Sequence, residues 1–112
     1  MKLETLVKRL SLAPMVDVAV KKNDVEGCYI GDLLSWVMGR ASENYIWITV
    51  MGNVNAVAVA KLVGISAIVL CEDAYLDDEA ALRALKHDIP IYQSPRPAYE
   101  LALEVSKALA TS

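Results

Sequence analysis

The stretch YIWITVMGNVNAVAVAKLVG, residues 45–64, decides how this chain folds. Over its first seven residues Tyr45, Trp47, Thr49 and Met51 point to one side of an extended chain, and Ile46, Ile48 and Val50 to the other. Both sides are large and mostly apolar, which is how a central strand of a parallel sheet reads when it is covered on both faces. The continuation, Asn53 to Val63, alternates and on periodicity alone resembles another strand. The alanines at 56, 58 and 60, the stop at Gly64 and a further apolar strand directly behind favour a helix instead. Lys61 is the only charged residue of that helix, so most of its circumference is expected to be buried, against the sheet and against something else. In open parallel sheets ligands bind where a strand turns into the following helix, and this makes Gly52-Asn53-Val54-Asn55 the expected functional turn.

Upstream, Leu3, Leu6, Val7 and Leu10 fall on one helical face, and Pro14 ends the amphipathic helix they predict. Met15 to Val20 (MVDVAV) reads as a strand, Lys21 to Asp24 as a polar turn and Gly27 to Ile30 as a second short strand. After Gly31, Asp32 is placed to cap a helix carrying Leu33, Leu34, Trp36, Val37 and Met38. Its apolar residues cover more than one side, which predicts a second partner surface. Downstream, Ile65 to Cys71 is a strand with its exit at Glu72-Asp73. Asp77 or Asp78 then caps a helix with Leu82 and Leu85 inward and Glu79 and Arg83 outward, ending near His87. Pro90 to Tyr92 is the last strand, and Ser94-Pro95-Arg96-Pro97 leads into a final helix. There Ala98, Leu101, Ala102, Val105, Ala108 and Leu109 face the core while Glu100, Glu104 and Lys107 face water.

Strand and helix alternate from Gly27 onward with short connections, the pattern of successive βαβ units with right-handed crossovers. The expected fold is a single three-layer α/β/α domain spanning residues 1–112, with a mainly parallel sheet of four or five strands. Such a sheet carries every turn that follows a strand to one edge. Gly31-Asp32, Gly52 to Asn55, Glu72-Asp73 and Ser94-Pro95-Arg96 therefore share a rim.

Composition narrows the function classes. A chain of 112 residues is long enough to bury a self-sufficient core, and 55% hydrophobic against 22% charged residues is a globular balance. A net charge of -3 gives no support to nucleic-acid binding, which wants a basic face. Glu4, Lys8 and Arg9 interrupt what a signal peptide would keep apolar, and no run is long enough for a membrane span, so a cytoplasmic location is expected. Cys28 and Cys71 sit in apolar strand-like runs and read as buried free thiols. With His87 as the only histidine, they do not complete a zinc site.

On the rim, Asn53 either caps the following helix or offers its amide to a ligand; Asn55 has the same chemistry. Ser94, Arg96 and the start of the last helix form a candidate anion site, Arg96 being the only basic residue of the four turns. Glu72, Asp73, Asp77 and Asp78 have the oxygen chemistry of a divalent-cation site, but exit turns and helix caps account for them more simply, and no metal is expected. His87 is read as a favourable dipole partner at a helix C-terminus. Trp36 and Trp47 are read as core or interface anchors. None of the five glycines begins the phosphate loop G-x-x-x-x-G-K-[ST], and neither G-x-G-x-x-G nor G-x-S-x-G occurs.

The runs Cys28 to Ala41 (CYIGDLLSWVMGRA) and Trp47 to Leu70 (WITVMGNVNAVAVAKLVGISAIVL), with the ending Pro90 to Ala102, resemble the DRTGG domain, in a stand-alone version with a degenerate signature. That family is similar to the amino-terminal domain of HPr kinase/phosphorylase. Its members accompany CBS domains in some pyrophosphatases. The resemblance implies a regulatory or assembly role without catalysis or cofactor. Where the family pattern has Gly-Asp-Arg-Thr, this chain has Gly52-Asn53-Val54-Asn55, and where it has a Gly-Gly pair, this chain has Glu72-Asp73. The cation and glycine amides suited to a phosphate are thereby replaced.

The expected function is a non-catalytic cytoplasmic module, a homodimer through the helices at Leu33 to Met38 and Ala56 to Val63, working on an unidentified protein partner. Its candidate ligand residues are Asp32, Gly52, Asn53, Asn55, Ser94 and Arg96. The alternatives are a nucleotide or phosphometabolite sensor and, more distantly, a small transferase using the acidic rim.

Overall fold

The apolar strand of the opening stretch lies inside the sheet in a computed structural model that describes residues 1–19 and 24–111. It forms β3 (Tyr45–Thr49), with Ile46, Trp47 and Ile48 fully buried. Its neighbours are β2 (Gly27–Ile30) and β4 (Ala67–Leu70), both parallel to it, with Trp47 opposite Tyr29 on one side and Ile68 on the other. Beyond β4 lies β5 (Ile91–Gln93), also parallel, and a two-residue antiparallel edge β1 (Ala13–Pro14) closes the order β1-β5-β4-β3-β2. Among the described residues the sheet has five strands and is mainly parallel, within the expected four or five.

Alternation of side chains along the strands divides the core in two. Ile46, Ile48, Ala67, Val69 and Tyr92 face α1 (Leu3–Leu10) and α5 (Ala98–Ala110), packing on Leu3, Leu6, Leu10, Leu101, Val105 and Ala108. Trp47, Ile68, Leu70 and Ile91 face the three crossover helices α2 (Leu34–Arg40), α3 (Val54–Val63) and α4 (Asp78–Lys86). The layer order is α2, α3, α4, since α3 packs against both of the others. The alternating sequence NVNAVAVA is helical: Asn53 accepts the Ala56 N–H at 2.9 Å, and Gly64, at φ 84°, ends α3 in the left-handed conformation that glycine adopts without strain.

Three expectations need correction. Residues 15–19 form no strand. The Met15 N–H still bonds the Ile91 carbonyl at 2.8 Å, but the Val18 N–H turns back to Val16 at 2.9 Å, so the chain leaves the sheet just after Pro14. Val20 and the predicted turn residues 21–23 lie outside the described residues. On α4 it is Ala80 and Ala84 that are buried, while Leu82 and Leu85 are 68% and 49% exposed. The small side chains let the helix approach the sheet closely, and its larger ones point along its flank towards Met15 and Val16. Finally, α2 begins after Leu33 with no side-chain cap, because the Asp32 carboxylate is committed elsewhere.

Candidate functional site

The four turns at the C-terminal ends of the parallel strands meet as expected, and their polar groups bond mainly to one another. The Asp32 carboxylate accepts the Thr49 hydroxyl at 2.7 Å and the Val50 N–H at 3.0 Å through the same oxygen. The Thr49 oxygen in turn accepts the Met51 N–H at 3.1 Å, and the buried Trp47 indole donates to the Gly31 carbonyl at 2.8 Å. These bonds tie the exit of β2 to the exit of β3.

Gly52 follows at a point of close approach. A Cβ there would run into the Tyr75 carbonyl and the Leu76 backbone, and the Gly52 carbonyl accepts the Asp77 N–H at 2.8 Å. Only glycine lets the segment before α4 lie across this turn. Asn53 is the α3 cap, so its amide oxygen is in use, while Asn55 stands exposed in the first turn of α3. At the neighbouring exit the Glu72 and Asp73 N–H groups donate to the Arg96 and Ser94 carbonyls, both at 3.0 Å, with Glu72 and Asp73 at φ 54° and 53°. Ser94 is buried, and its hydroxyl oxygen accepts the Arg96 N–H at 3.2 Å.

The guanidinium of Arg96 does not serve this rim. Its Nη1 donates to the Leu10 carbonyl at 2.8 Å and to Glu104 at 2.9 Å, which carries the charge to the α1/α5 side of the molecule. Asp32, Gly52, Asn53, Asn55 and Ser94 are thus brought to one edge, and the cation meant to complete an anion site there is turned away from it. Among the described residues no group of three or more His, Cys, Asp and Glu side chains is arranged to hold a metal ion.

A cavity of about 450 Å³ lies on the helical layer instead, in the groove between α3 and α4, lined by Val54, Val57, Ala58, Lys61, Leu62, Arg83 and His87. Lys61 Nζ sits 2.9 Å from His87 Nδ1. A lysine ammonium is a donor only, so this contact assigns Nδ1 as acceptor and the proton to Nε2. Desolvation and then the charges of Lys61, Lys86 and Arg83 hold the His87 pKa below its ordinary 6.5. His87 does stand at the C-terminus of α4, as expected, and its lowered pKa disfavours the charged form there. Sequence reading missed this cluster because Lys61 is on a different helix from Arg83 and His87; the one local signal is a lone lysine on an otherwise apolar helix.

The two thiols are poor nucleophiles. Burial pushes Cys28 up to about 11 and raises Cys71 as well, so both stay protonated packing groups near neutral pH.

Comparison with solved structures finds the regulatory region of Clostridium perfringens pyrophosphatase, its CBS and DRTGG domains crystallised with the activator diadenosine tetraphosphate. The match has a TM-score of 0.78 over 96% of this chain at 15% identity. The chain has a DRTGG-like α/β fold. It spans about half of that regulatory chain, 47% of its length. No family model and no curated protein matches the sequence. Glu72 and Asp73, which follow β4, both lie in the left-handed region that favours glycine. No helix among the described residues is long and apolar enough to cross a membrane.

Proposed function

We propose that this chain is a non-catalytic cytoplasmic regulatory or assembly module that acts through protein–protein interaction, as a homodimer on an unidentified partner. The observation that carries this reading is a contrast between two surfaces. The rim turns spend most of their polar groups on internal hydrogen bonds, and Arg96 points away from them. The outer face of α2 and α3, by contrast, leaves Leu33, Trp36, Met38 and Leu62 between 46% and 74% exposed. An apolar surface of this kind on a small domain marks an interaction site. Trp36 adds an aromatic anchor, stacked under the Arg40 guanidinium at 3.7 Å, and this pair is characteristic of interface hot spots. The occurrence of the same fold in a regulatory region agrees with the reading.

Light scattering after gel filtration tests it. The native chain is expected at twice its monomer mass at tens of micromolar, and Trp36→Glu with Leu62→Glu is expected to give a folded monomer by circular dichroism. A native monomer under these conditions would remove the homodimer from the proposal.

A second reading, a nucleotide or phosphometabolite sensor, is favoured by the nucleotide activator bound to the pyrophosphatase regulatory region. Small-ligand recognition at the rim would then use Gly52, Asn53, Asn55 and Ser94. A thermal-shift screen with nucleotides and acyl phosphates checks it: a rise in Tm abolished by Asn53→Ala supports the rim site, and no rise with any compound removes it.

A further inference from the structure

We propose that the groove between α3 and α4 is a binding site for an organic phosphate monoester, its apolar body on α3 and its phosphate on Lys61, Arg83 and His87. The inference goes beyond the protein-interaction reading and places the ligand away from the rim. α3 lies between α2 and α4, so the groove is on the flank opposite α2; Leu62 alone is common to both surfaces.

Size and lining carry the first step. About 450 Å³ falls within the range of small-molecule pockets, which are mostly apolar with a few convergent polar groups. Val54, Val57, Ala58 and Leu62 supply an apolar side from a single helix, with Ala58 leaving space between the larger side chains. Lys61 contributes from the last turn of that helix, and Arg83 and His87 contribute from the end of α4.

Charge carries the second step. The chain as a whole has a net charge of -3, yet the ionisable side chains lining this groove are a lysine, an arginine and a histidine, with no carboxylate among them. The charged neighbours that act on His87 are likewise all cations, Lys61, Lys86 and Arg83. The cations of this lining repel one another, and an anion in the groove relieves that repulsion. Lys61 and Arg83 supply two cationic side chains, which match a phosphate dianion better than a carboxylate monoanion. The planar Arg83 fork suits two phosphate oxygens, and Lys61 acts as the point charge. The neutral His87 offers its Nε2–H as a further donor, and protonation on binding would add a third charge.

Titration of the isotopically labelled chain with AMP, followed by amide chemical shifts, tests the site. Millimolar AMP is expected to move resonances of Val54 to Leu62 and Arg83 to His87, and to leave those of Ser94 and Arg96 in place. Lys61→Gln and Arg83→Gln are each expected to weaken binding about tenfold, a typical loss for one charge-assisted contact, with unchanged circular dichroism. Both side chains are on exposed helix surface, so the variants are expected to fold. Adenosine and benzoate are expected to bind far more weakly than AMP. The proposal is overturned if AMP moves no groove resonance, if the shifts fall on the rim instead, if both variants bind AMP as the native chain does, or if benzoate or adenosine binds as well as AMP.

Discussion

The Asp32 carboxylate and the Thr49 hydroxyl, 2.7 Å apart, join the ends of two adjacent parallel strands. Asp32 is exposed while Thr49 is buried, so the bond reaches from the surface into the edge of the sheet. Removing the hydroxyl with Thr49→Val keeps the side-chain shape but leaves the Met51 N–H without its acceptor. The expected cost is about 1–2 kcal/mol, read as a lower urea midpoint. Asp32→Ala loses the same bond and the one to the Val50 N–H, and should cost about 1 kcal/mol because water replaces an exposed carboxylate easily. The double variant should cost less than the sum, since each single change already breaks the shared contact; strict additivity would show that the bond contributes nothing in solution.

At the next turn two non-glycine residues hold φ near +54°, Glu72 and Asp73. A left-handed backbone costs most side chains about 1–2 kcal/mol, and aspartate tolerates it better than glutamate. Glycine removes that strain and gives back part of the gain as unfolded-state entropy, about 0.5–1 kcal/mol. Glu72→Gly should therefore stabilise the chain, by up to about 1 kcal/mol, and Asp73→Gly by less. Thermal unfolding of the two variants decides this, and a lower Tm for Glu72→Gly would contradict it.

These two turns also show where sequence reading stops. The double-faced strand Tyr45–Thr49, the helix behind it and the Gly64 stop were legible because burial on both sides and a left-handed cap leave marks in residue type. The meeting of the rim turns was legible too, since parallel connectivity alone brings them together. Asp32 was misread because an acid before an apolar helix looks like a cap, and nothing local reveals that Thr49, on the next strand, takes its carboxylate. On α4 hydrophobicity favoured Leu82 and Leu85, whereas close approach of helix to sheet selected Ala80 and Ala84. A count of apolar character cannot express that a smaller side chain permits tighter packing. The cluster of Lys61, Arg83 and His87 depends on how two helices pair, which is a tertiary fact.

His87 gives a pH test of that pairing. Its pKa is lowered from 6.5 by desolvation first and then by Lys61, Lys86 and Arg83. Because the folded value lies below the unfolded one, protonation favours the unfolded chain. Its contribution to stability is full above about pH 6.5 and is lost as the pH falls through the folded pKa. The imidazole resonances should titrate with a midpoint below 6.5, and Lys61→Gln should move that midpoint upward by removing the nearest charge. Binding of a phosphate in the groove should also raise it. A midpoint at or above 6.5 in the free native chain would show that the lysine and the imidazole are not in contact.

Arg96 separates a structural role from a ligand-binding one. Leu10 is the last residue of α1, where backbone carbonyls lack helical partners, and Arg96 Nη1 donates to that carbonyl at 2.8 Å. The cation also lies at the negative end of the helix dipole and beside Glu104, whose side chain is 39% exposed. Solvent screening reduces the ion pair to a small part of the total, so the carbonyl bond and the packed stem carry most of the effect. Arg96→Ala should cost about 1–2 kcal/mol, and faster hydrogen exchange should appear first at the end of α1, at the Ser11 and Leu12 amides that bond back to Lys8 and Val7. Glu104→Gln, which keeps the shape and removes the charge, should cost much less. If Arg96 instead served a rim anion site, added phosphate would raise the Tm of the native chain and not of Arg96→Ala, while α1 exchange would stay unchanged. The bond to Leu10 predicts the opposite on both counts: no phosphate dependence that Arg96 controls, and a loosened end of α1 when it is removed.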